Sequence, residues 1–247
     1  MFPYKDENPQ FRPPVVTIVL IGVNVLAWLL VQGMGSDPAL AASVCKFGLI
    51  PADFLERIRG EVSIPMTREL SCVISAGREW YTPLTSMFMH GSWFHLIGNM
   101  WFFWVFGNNV EDSMGHARYF LFYLLCGLAA AGAQTVTDPD SIIPMVGASG
   151  AIGGVMGAYI VLYPRVRVHM LVFLGFYITT IVVPAFVMLG YWFIIQLLSG
   201  LPSLGDKGGG VAFWAHVGGF AAGALLVLVF RDRELVERHR VARMELR

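Results

Sequence analysis

The sequence predicts an all-α protein whose helices cross a lipid bilayer as one bundle. Hydrophobic residues make up 56% of its 247 residues and charged residues only 14%, whereas soluble domains are about half apolar and a quarter charged. The mean hydropathy is +0.62, and apolar runs that approach the length of a membrane span recur along the chain. Lipid offers no partners to backbone polar groups, so these runs should be helical. The formal net charge is zero, and we expect no nucleic-acid partner.

The first part of the chain combines one span with a long loop. Residues 1–14 are polar and contain prolines, and we expect a short tail. The run 15–31 predicts the first span, with a signal peptide as the alternative. Residues 33–92 are too long for a simple connector, so this loop should carry structure of its own. Its aromatic residues indicate a part lying in the membrane interface, and a solvated subdomain is the alternative.

Five further spans follow, at 93–110, 119–136, 148–163, 184–199 and 211–230. Residues 168–182 are also apolar, but a crossing there conflicts with the placement of three polar residues. His95, Ser149 and His216 each lie near the start of a predicted span, and with six spans these three starts share one membrane face. A seventh crossing would move His216 to the opposite face. We therefore expect 168–182 to be interfacial or partly buried.

Basic residues predict the orientation of the bundle. Of the seventeen Lys and Arg, eleven fall on the side of both termini, and six on the other side: Lys46, Arg57, Arg59, Arg68, Arg78 and Lys207. Most of these six lie in the long loop, where charges count least in the positive-inside rule. Both termini should therefore be cytoplasmic, with the starts of the second, fourth and sixth spans facing outward.

The domain organisation expected from these patterns is simple. A short cytoplasmic tail, 1–14, precedes one membrane domain, 15–230, and a charged cytoplasmic tail, 231–247, forms a solvated end. The short tails and the lack of an evident transit peptide favour a bacterial plasma membrane, and an organelle membrane is the alternative.

The three cysteines, Cys45, Cys72 and Cys126, do not have the spacing of a metal site. Cys45 and Cys72 fall in the same loop. We expect free thiols, with a Cys45–Cys72 disulfide as the alternative if the loop faces an oxidising compartment.

One serine stands between glycines at the start of the fourth span, in Gly147-Ala148-Ser149-Gly150. A hydroxyl at a helix N-terminus lies beside free backbone N–H groups that favour negative charge. This placement suits a nucleophile whose attack on a carbonyl creates an oxyanion. Because helix starts also favour serine, an N-cap or a small packing residue is the alternative for Ser149.

His216 opens the sixth span and could supply the base that this serine needs. Gly219 and Gly223 follow it at a four-residue spacing, and Gly153 and Gly157 repeat that spacing in the fourth span. Such small residues let two helices approach closely, which would bring Ser149 near the imidazole. An interhelical hydrogen bond is the alternative role for His216. Since no acidic residue stands ready to orient the imidazole, we expect a Ser–His dyad rather than a triad.

His95 and Asn99 lie on one face of the second span because they are four residues apart. Both can donate hydrogen bonds to an oxyanion, together with the backbone N–H of Ser149; a polar helix contact is the alternative. His90, five residues earlier, should be structural and bond the loop to the bundle. The sequence lacks an H-E-x-x-H motif and a third ligand, so we expect no metal and no cofactor.

These motifs resemble the rhomboid family of intramembrane serine proteases over residues 80 to 230. The carriers are LTSMFMHG at 84–91, His95 with Asn99, Gly147 to Gly150 around Ser149, and Ala215-His216 followed by Gly219 and Gly223. The resemblance implies a six-span bundle and a serine endopeptidase that cuts in or near the transmembrane segments of protein substrates within the lipid bilayer. It implies that Ser149 is the nucleophile, that His216 is the base, and that His95, Asn99 and the Ser149 N–H form the oxyanion hole. It also implies that the first loop lies partly in the membrane and that the fifth span gates lateral substrate access.

The sequence departs from the family pattern at two places. Tyr81-Thr82 replaces a common Trp-Arg, so the arginine that anchors the first loop is absent or is supplied by Arg78. Gly153 replaces an aromatic residue that often packs on the catalytic histidine, which leaves open what holds His216. The alternatives for function are a catalytically inactive relative that binds membrane proteins and a small transporter.

Overall fold

The fold is described from a computed structural model that covers residues 2–67, 70–75, 79–175, 177–202 and 211–245. Its α-helices are α1 Val15–Leu26, α2 Ala39–Phe47, α3 Pro51–Phe54, α4 Thr82–Thr85, α5 Trp93–Met114, α6 His116–Thr137, α7 Ser149–Leu162, α8 Ala185–Gly200, α9 Phe213–Phe230 and α10 Arg233–Glu245. Its strands are β1 Phe2–Asp6, β2 Glu61–Pro65, β3 Ser71–Ser75, β4 Arg167–Leu174 and β5 Tyr177–Pro184. A π-helical turn, Ala27–Val31, extends α1. Arg68, Arg78 and Lys207, which entered the orientation and anchor predictions, lie outside the described residues.

Each of the six apolar runs forms a helix, and α7 lies at the centre of the bundle. Every residue from 150 to 159 is buried, because α5, α6, α8 and α9 all pack around this helix. The sequence of α7 is dominated by glycine, alanine and aliphatic residues, which allows neighbours on all sides. The serine at its N-terminus is thereby placed inside the bundle, while its other end reaches the opposite face.

Two of the described helices, α6 and α9, are long and apolar enough to cross a membrane by length and composition. The continuous helical segment Val15–Val31 and the helices α7 and α8 are apolar but shorter. The helix α5 is long, but its C-terminal end buries Glu111 and Asp112. These two carboxylates accept hydrogen bonds from the start of α1 and from the segment before it.

The first loop has its own structure, as the sequence predicted. It contains α2, α3, α4 and the antiparallel hairpin β2–β3. The expectation of free thiols was wrong, since Cys45 of α2 and Cys72 of β3 form a disulfide. The hairpin folds back onto α2, and Ile50 and Ile74 pack with Cys72 in a small apolar cluster. The separation of 27 residues between the two cysteines does not indicate whether they pair.

The fold is mainly helical but not all-α, because residues near the N-terminus and between α7 and α8 form a three-stranded antiparallel sheet. Its strand order is β1-β4-β5. The apolar segment 168–182 is a hairpin rather than a helix. Its strand β4 buries Val168, Met170 and Val172, while Phe173 on the other face is 52% exposed. Buried and exposed residues alternate along β4, as expected for a strand with one face against the protein, whereas β5 is mostly exposed.

Both ends of the described chain pack against the bundle, whereas the sequence suggested a short tail at the N-terminus and a solvated end at the C-terminus. The strand β1 pairs with β4, and Arg12 forms an ion pair with Asp112 of α5 at 3.2 Å. The C-terminal segment forms α10, whose His239 is 1% exposed and lies 3.1 Å from the same carboxylate. Asp112 therefore ties both ends to one helix.

Candidate active site

Ser149 and His216 contact each other directly. The Oγ of Ser149 lies 2.8 Å from Nε2 of His216. Ser149 is the first residue of α7, and no side chain of the described residues caps this helix, so the hydroxyl does not serve as the N-cap that the alternative interpretation required. A serine hydroxyl bonded to an imidazole nitrogen is the arrangement that allows proton transfer to a base.

Glycines bring the two helices close enough for this contact. A Cβ atom on Gly219 would lie 2.0 Å from the carbonyl oxygen of Gly150, and one on Gly223 would lie 1.9 Å from that of Gly154. On the α7 side, a Cβ on Gly157 would lie 2.0 Å from the carbonyl oxygen of Phe220. The two helices therefore run side by side in parallel with their backbones in contact, which no larger residue permits.

Gly153 of α7 has a looser environment. A Cβ there would lie 3.1 Å from the carbonyl oxygen of His216 and 3.8 Å from the ring of Trp192. The aromatic neighbour of His216 thus comes from α8 rather than from α7. The ring centroids of Trp192 and His216 are 5.8 Å apart.

The second nitrogen of His216 has a partner that the sequence analysis missed. Its Nδ1 lies 2.7 Å from Oε1 of Gln196 on α8, and Gln196 is 8% exposed. A carbonyl oxygen at Nδ1 favours the tautomer with the proton on Nδ1, which leaves Nε2 free to accept the proton of Ser149. A signal for this residue was available: Gln196 is a polar residue in an otherwise apolar helix, and such residues are functional candidates by default.

His95 lies beside the serine with one nitrogen committed. Its Nδ1 accepts a hydrogen bond of 3.3 Å from the backbone N–H of Gly91, so the neutral ring carries its proton on Nε2. That nitrogen faces Gly147, because a Cβ on Gly147 would lie 2.7 Å from it and 3.4 Å from the Oγ of Ser149. Gly147 has a φ of +128°, a conformation that favours glycine. His95 is therefore a donor directed at the region in front of Ser149.

Asn99 is a second donor beside the same space. It is 8% exposed, and its Nδ2 has no hydrogen-bond partner among the described residues. Unpaired buried donors are rare and call for an explanation. Asn99, His95, Ser149 and His216 line one cavity of about 620 Å³. An oxygen that develops negative charge in this cavity would satisfy the amide.

The first loop holds the segment that precedes Ser149. The backbone N–H of Gly147 donates to the carbonyl oxygen of Ser86 at 2.9 Å, and Leu49 and Met145 exchange two backbone hydrogen bonds. Thr85 donates to the carbonyl oxygen of Phe47 at 2.9 Å, which joins two parts of the first loop. The loop therefore fixes the approach of the chain to α7.

His90 is fully buried and joins the loop to the bundle through its backbone. Its N–H and C=O form hydrogen bonds of 2.8 and 2.7 Å with the side chain of Gln32. Burial, and secondarily the neighbouring His95, lowers the pKa of His90 to about 3, so the ring is neutral and packs against His95 at a centroid distance of 5.1 Å. The neutral ring of His90 is thus a packing partner of the His95 ring.

The comparison with known proteins gives one family. The family model for the Rhomboid domain matches residues 77–233. The chain is 25% identical to RHOMBOID-like protein 5 of Arabidopsis thaliana over 63% of this chain and 55% of that protein. It is 34% identical to Rhomboid protease GluP of Bacillus subtilis over 61% of this chain and 27% of that protein. It is 24% identical to Rhomboid protein 1, mitochondrial, of Saccharomyces cerevisiae over 90% and 57% of the two chains. The matches span from about a quarter to a little over half of these relatives.

Proposed function

This chain belongs to the rhomboid family of integral membrane proteins, and on that premise we propose that it is a serine endopeptidase that cuts membrane proteins. Its substrates are peptide bonds in or near transmembrane segments. The observation that carries the proposal is the 2.8 Å contact between Ser149 Oγ and His216 Nε2. A relative from Bacillus subtilis is named a rhomboid protease, which supports the same reaction class.

The proposed reaction is acyl transfer to serine followed by hydrolysis. Ser149 Oγ attacks the scissile carbonyl carbon while its proton passes to Nε2 of His216. The imidazolium then gives that proton to the leaving amine nitrogen as the C–N bond breaks. Water attacks the acyl-enzyme and gives one proton to Nε2, which returns it to Ser149 Oγ as the ester bond breaks. The product leaves as a carboxylic acid and loses its remaining proton to solvent. Gln196 is a positioning residue that holds His216 in the tautomer needed for the first step.

The oxyanion of the tetrahedral intermediate is assigned to three donors: Nε2–H of His95, Nδ2 of Asn99 and the backbone N–H of Ser149. Two of these are supported by the absence of another partner, since Asn99 Nδ2 is unpaired within the part of the chain that the structure describes and the first N–H groups of α7 have no acceptor within the helix. Donors already in place before the reaction need no reorganisation when charge develops. The proposed dyad thus has a preformed site for its intermediate.

The proposed membrane arrangement has six spans, α1 and α5 to α9, with both termini cytoplasmic and the serine toward the outer face. The alternation of helix directions supports this count, because the starts of α5, α7 and α9 meet at one face. The Cys45–Cys72 disulfide supports an oxidising environment for the first loop. A bacterial plasma membrane fits this arrangement, with the first loop facing away from the cytoplasm.

Substrate access is assigned to the side of the bundle covered by α8. This helix has exposed apolar residues along its length, among them Tyr191 at 62% and Leu198 at 61%. Few of its residues are buried, so its displacement costs less than that of α7. A transmembrane substrate approaching from the lipid would meet α8 first. Helix-weakening residues in the substrate should help, because a helix must unwind to expose its carbonyl.

Two other functions are weighed against this one. A catalytically inactive relative would have no use for a serine paired with a histidine. A transporter is favoured by intramembrane histidines, but the cavity at these histidines contains Ser149 bonded to His216 and the Asn99 amide, which has no partner among the described residues. The geometry therefore favours hydrolysis over both.

A serine-reactive fluorophosphonate probe tests this assignment on the purified protein. We expect covalent labelling of the wild type at Ser149, and loss of labelling in both Ser149→Ala and His216→Ala. Cys126→Ser is the control for nonspecific reaction. Labelling that persists in Ser149→Ala, or that does not depend on His216, would contradict the proposal.

A further inference from the structure

A second cavity opens on the face opposite the proposed active site. It has a volume of about 870 Å³ and is lined by residues 161, 162 and 164–167, by residues 240, 243 and 244 of α10, and by Glu7. The residues 161–167 include the end of α7 and the start of β4. This cavity, called here the arginine cavity, is separated from Ser149 by the length of α7, which is about 20 Å for 14 residues.

The arginine cavity carries a strong positive charge. Arg165, Arg167, Arg240 and Arg243 line it, and Glu7 is the one acidic residue among the described residues that line it. Glu7 already pairs with His169 at 2.9 Å. Four guanidinium groups around one space repel each other, so an anion between them would lower the electrostatic energy of the protein.

The arginines of this cavity have few partners within the described residues. Arg165 and Arg167 form no ion pair there, and Arg240 lies 3.7 Å from Glu237 in a solvent-exposed pair. Arg243 donates to a backbone oxygen and its guanidinium lies 5.0 Å over the ring of Tyr163. The Arg243 side chain is thus held at the cavity, while Arg165 and Arg167 are free to bind an anion.

The lining also has an apolar part at the level where the bundle ends. Val161 is 39% exposed and Met244 is 60% exposed, and both line the cavity. The helix α10 starts three residues after α9 ends, so it begins close to the end of a helix that is long and apolar enough to span a membrane. Arginines beside exposed apolar side chains at the end of the bundle suit an amphiphile, because its phosphate can bind the arginines and its acyl chain can contact the apolar side chains.

We propose that the arginine cavity binds the phosphate of an anionic phospholipid from the leaflet opposite the active site. Arg165 and Arg167 contact the phosphate, Arg240 and Arg243 close the cavity from α10, and Val161 and Met244 contact the acyl chain. The same phosphate chemistry could come from a soluble phosphate, and the test separates these two sources. The proposal does not depend on the protease activity, since it concerns the other face of the molecule.

The test measures thermal unfolding of the full chain in neutral detergent during three titrations. The probes are dihexanoylphosphatidylglycerol, dihexanoylphosphatidylcholine and inorganic phosphate. The cavity variants are Arg165→Gln/Arg167→Gln and Arg240→Gln/Arg243→Gln. The matched control is Arg233→Gln/Arg238→Gln, which removes two exposed α10 arginines that do not line the cavity. Two cavity variants keep the test usable if one of them does not fold.

We expect phosphatidylglycerol to raise the unfolding temperature of the wild type and the control, and its Kd to rise about tenfold or more in each folded cavity variant. An equal loss of binding in the control would overturn the proposal in favour of diffuse surface charge. Equal protection by phosphatidylcholine would overturn it as well. Equal protection by inorganic phosphate at the same phosphate concentration would replace the lipid by a soluble phosphate.

Discussion

At the scale of single residues, the site is defined by what each polar group is bonded to. Ser149 is bonded to His216, His216 to Gln196, and His95 to a backbone N–H. The amide donor of Asn99 has no partner among the described residues. Ser149, His216 and His95 are therefore held by hydrogen bonds within the protein. The amide of Asn99 can bind an oxygen that gains negative charge during the reaction.

The role of Gln196 is tested by two substitutions. Gln196→Leu removes the acceptor at His216 Nδ1, and we expect kcat to fall about tenfold to a hundredfold while KM changes little, because a lost buried partner costs about 1–3 kcal/mol. Gln196→Glu keeps an acceptor at Nδ1 and should retain more activity than Gln196→Leu. Both are measured with a reporter substrate in proteoliposomes.

The control for Gln196 is Leu121→Ala, an exposed position on α6. Activity equal to the wild type in both Gln196 variants would show that the imidazole needs no partner on α8. A fall in kcat as large in Leu121→Ala would assign the effect to a general disturbance of the bundle.

Asn99→Ala should lower kcat by about a hundredfold or more, since removing one oxyanion donor has effects of that order. Its thermal stability should change little, because the Nδ2 donor that is removed bonds to nothing in the described part of the chain. Ile97→Ala, an exposed neighbour, serves as the control. A loss of stability without a loss of kcat would make Asn99 a packing residue.

At the scale of elements, the contact between α7 and α9 positions the dyad. Gly223→Ala places a Cβ where only 1.9 Å separates it from the carbonyl oxygen of Gly154, so the helices must move apart. We expect a lower unfolding temperature and loss of activity. Gly132→Ala on α6 is the matched control, since nothing lies within 4 Å of its Cβ position and alanine favours helix. Equal stability of the two variants would contradict the close-packing account.

The sequence predicts correctly those elements that depend on a local pattern of residues. The order of the six helices follows from apolar runs, and the meeting of Ser149 with His216 follows from glycine spacing in two of them. Gln196 could not be predicted because the sequence of α8 does not tell which face of this helix packs against α9. The Cys45–Cys72 disulfide and the pairing of β1 with β4 could not be predicted either, because each connects segments that are distant in the chain.

At the scale of the whole molecule, residues before α1 and after α9 stabilise the face opposite Ser149. The carboxylate of Asp6 on β1 accepts hydrogen bonds from Tyr159 of α7 and from Asn109 of α5. Burial raises the pKa of Asp6 from 3.8 to about 6, and the hydrogen bond from Tyr159 offsets part of this rise. Since the raised pKa belongs to the folded state, the ionised form of Asp6 disfavours folding.

The stability of the protein should therefore depend on pH in a defined direction. Asp6 contributes no penalty below about pH 4, and stability falls by up to about 3 kcal/mol as the pH rises through about 6. Asp6→Asn removes this dependence, so its unfolding temperature should exceed that of the wild type by an amount that grows between about pH 4 and pH 6 and is nearly constant at higher pH. The exposed Asp37→Asn is the control, and an unchanged pH profile in Asp6→Asn would refute this account.

The proposed function depends on one reaction, the hydrolysis of a peptide bond with Ser149 as the nucleophile. Cleavage in proteoliposomes tests this reaction most directly. The substrate is a reporter with a single transmembrane span that carries helix-weakening residues, and the wild type is compared with Ser149→Ala. We predict cleavage by the wild type and none by Ser149→Ala at equal thermal stability. Equal cleavage by both proteins, or no cleavage by the folded wild type across several reporters, would contradict the assignment of this chain as a serine protease.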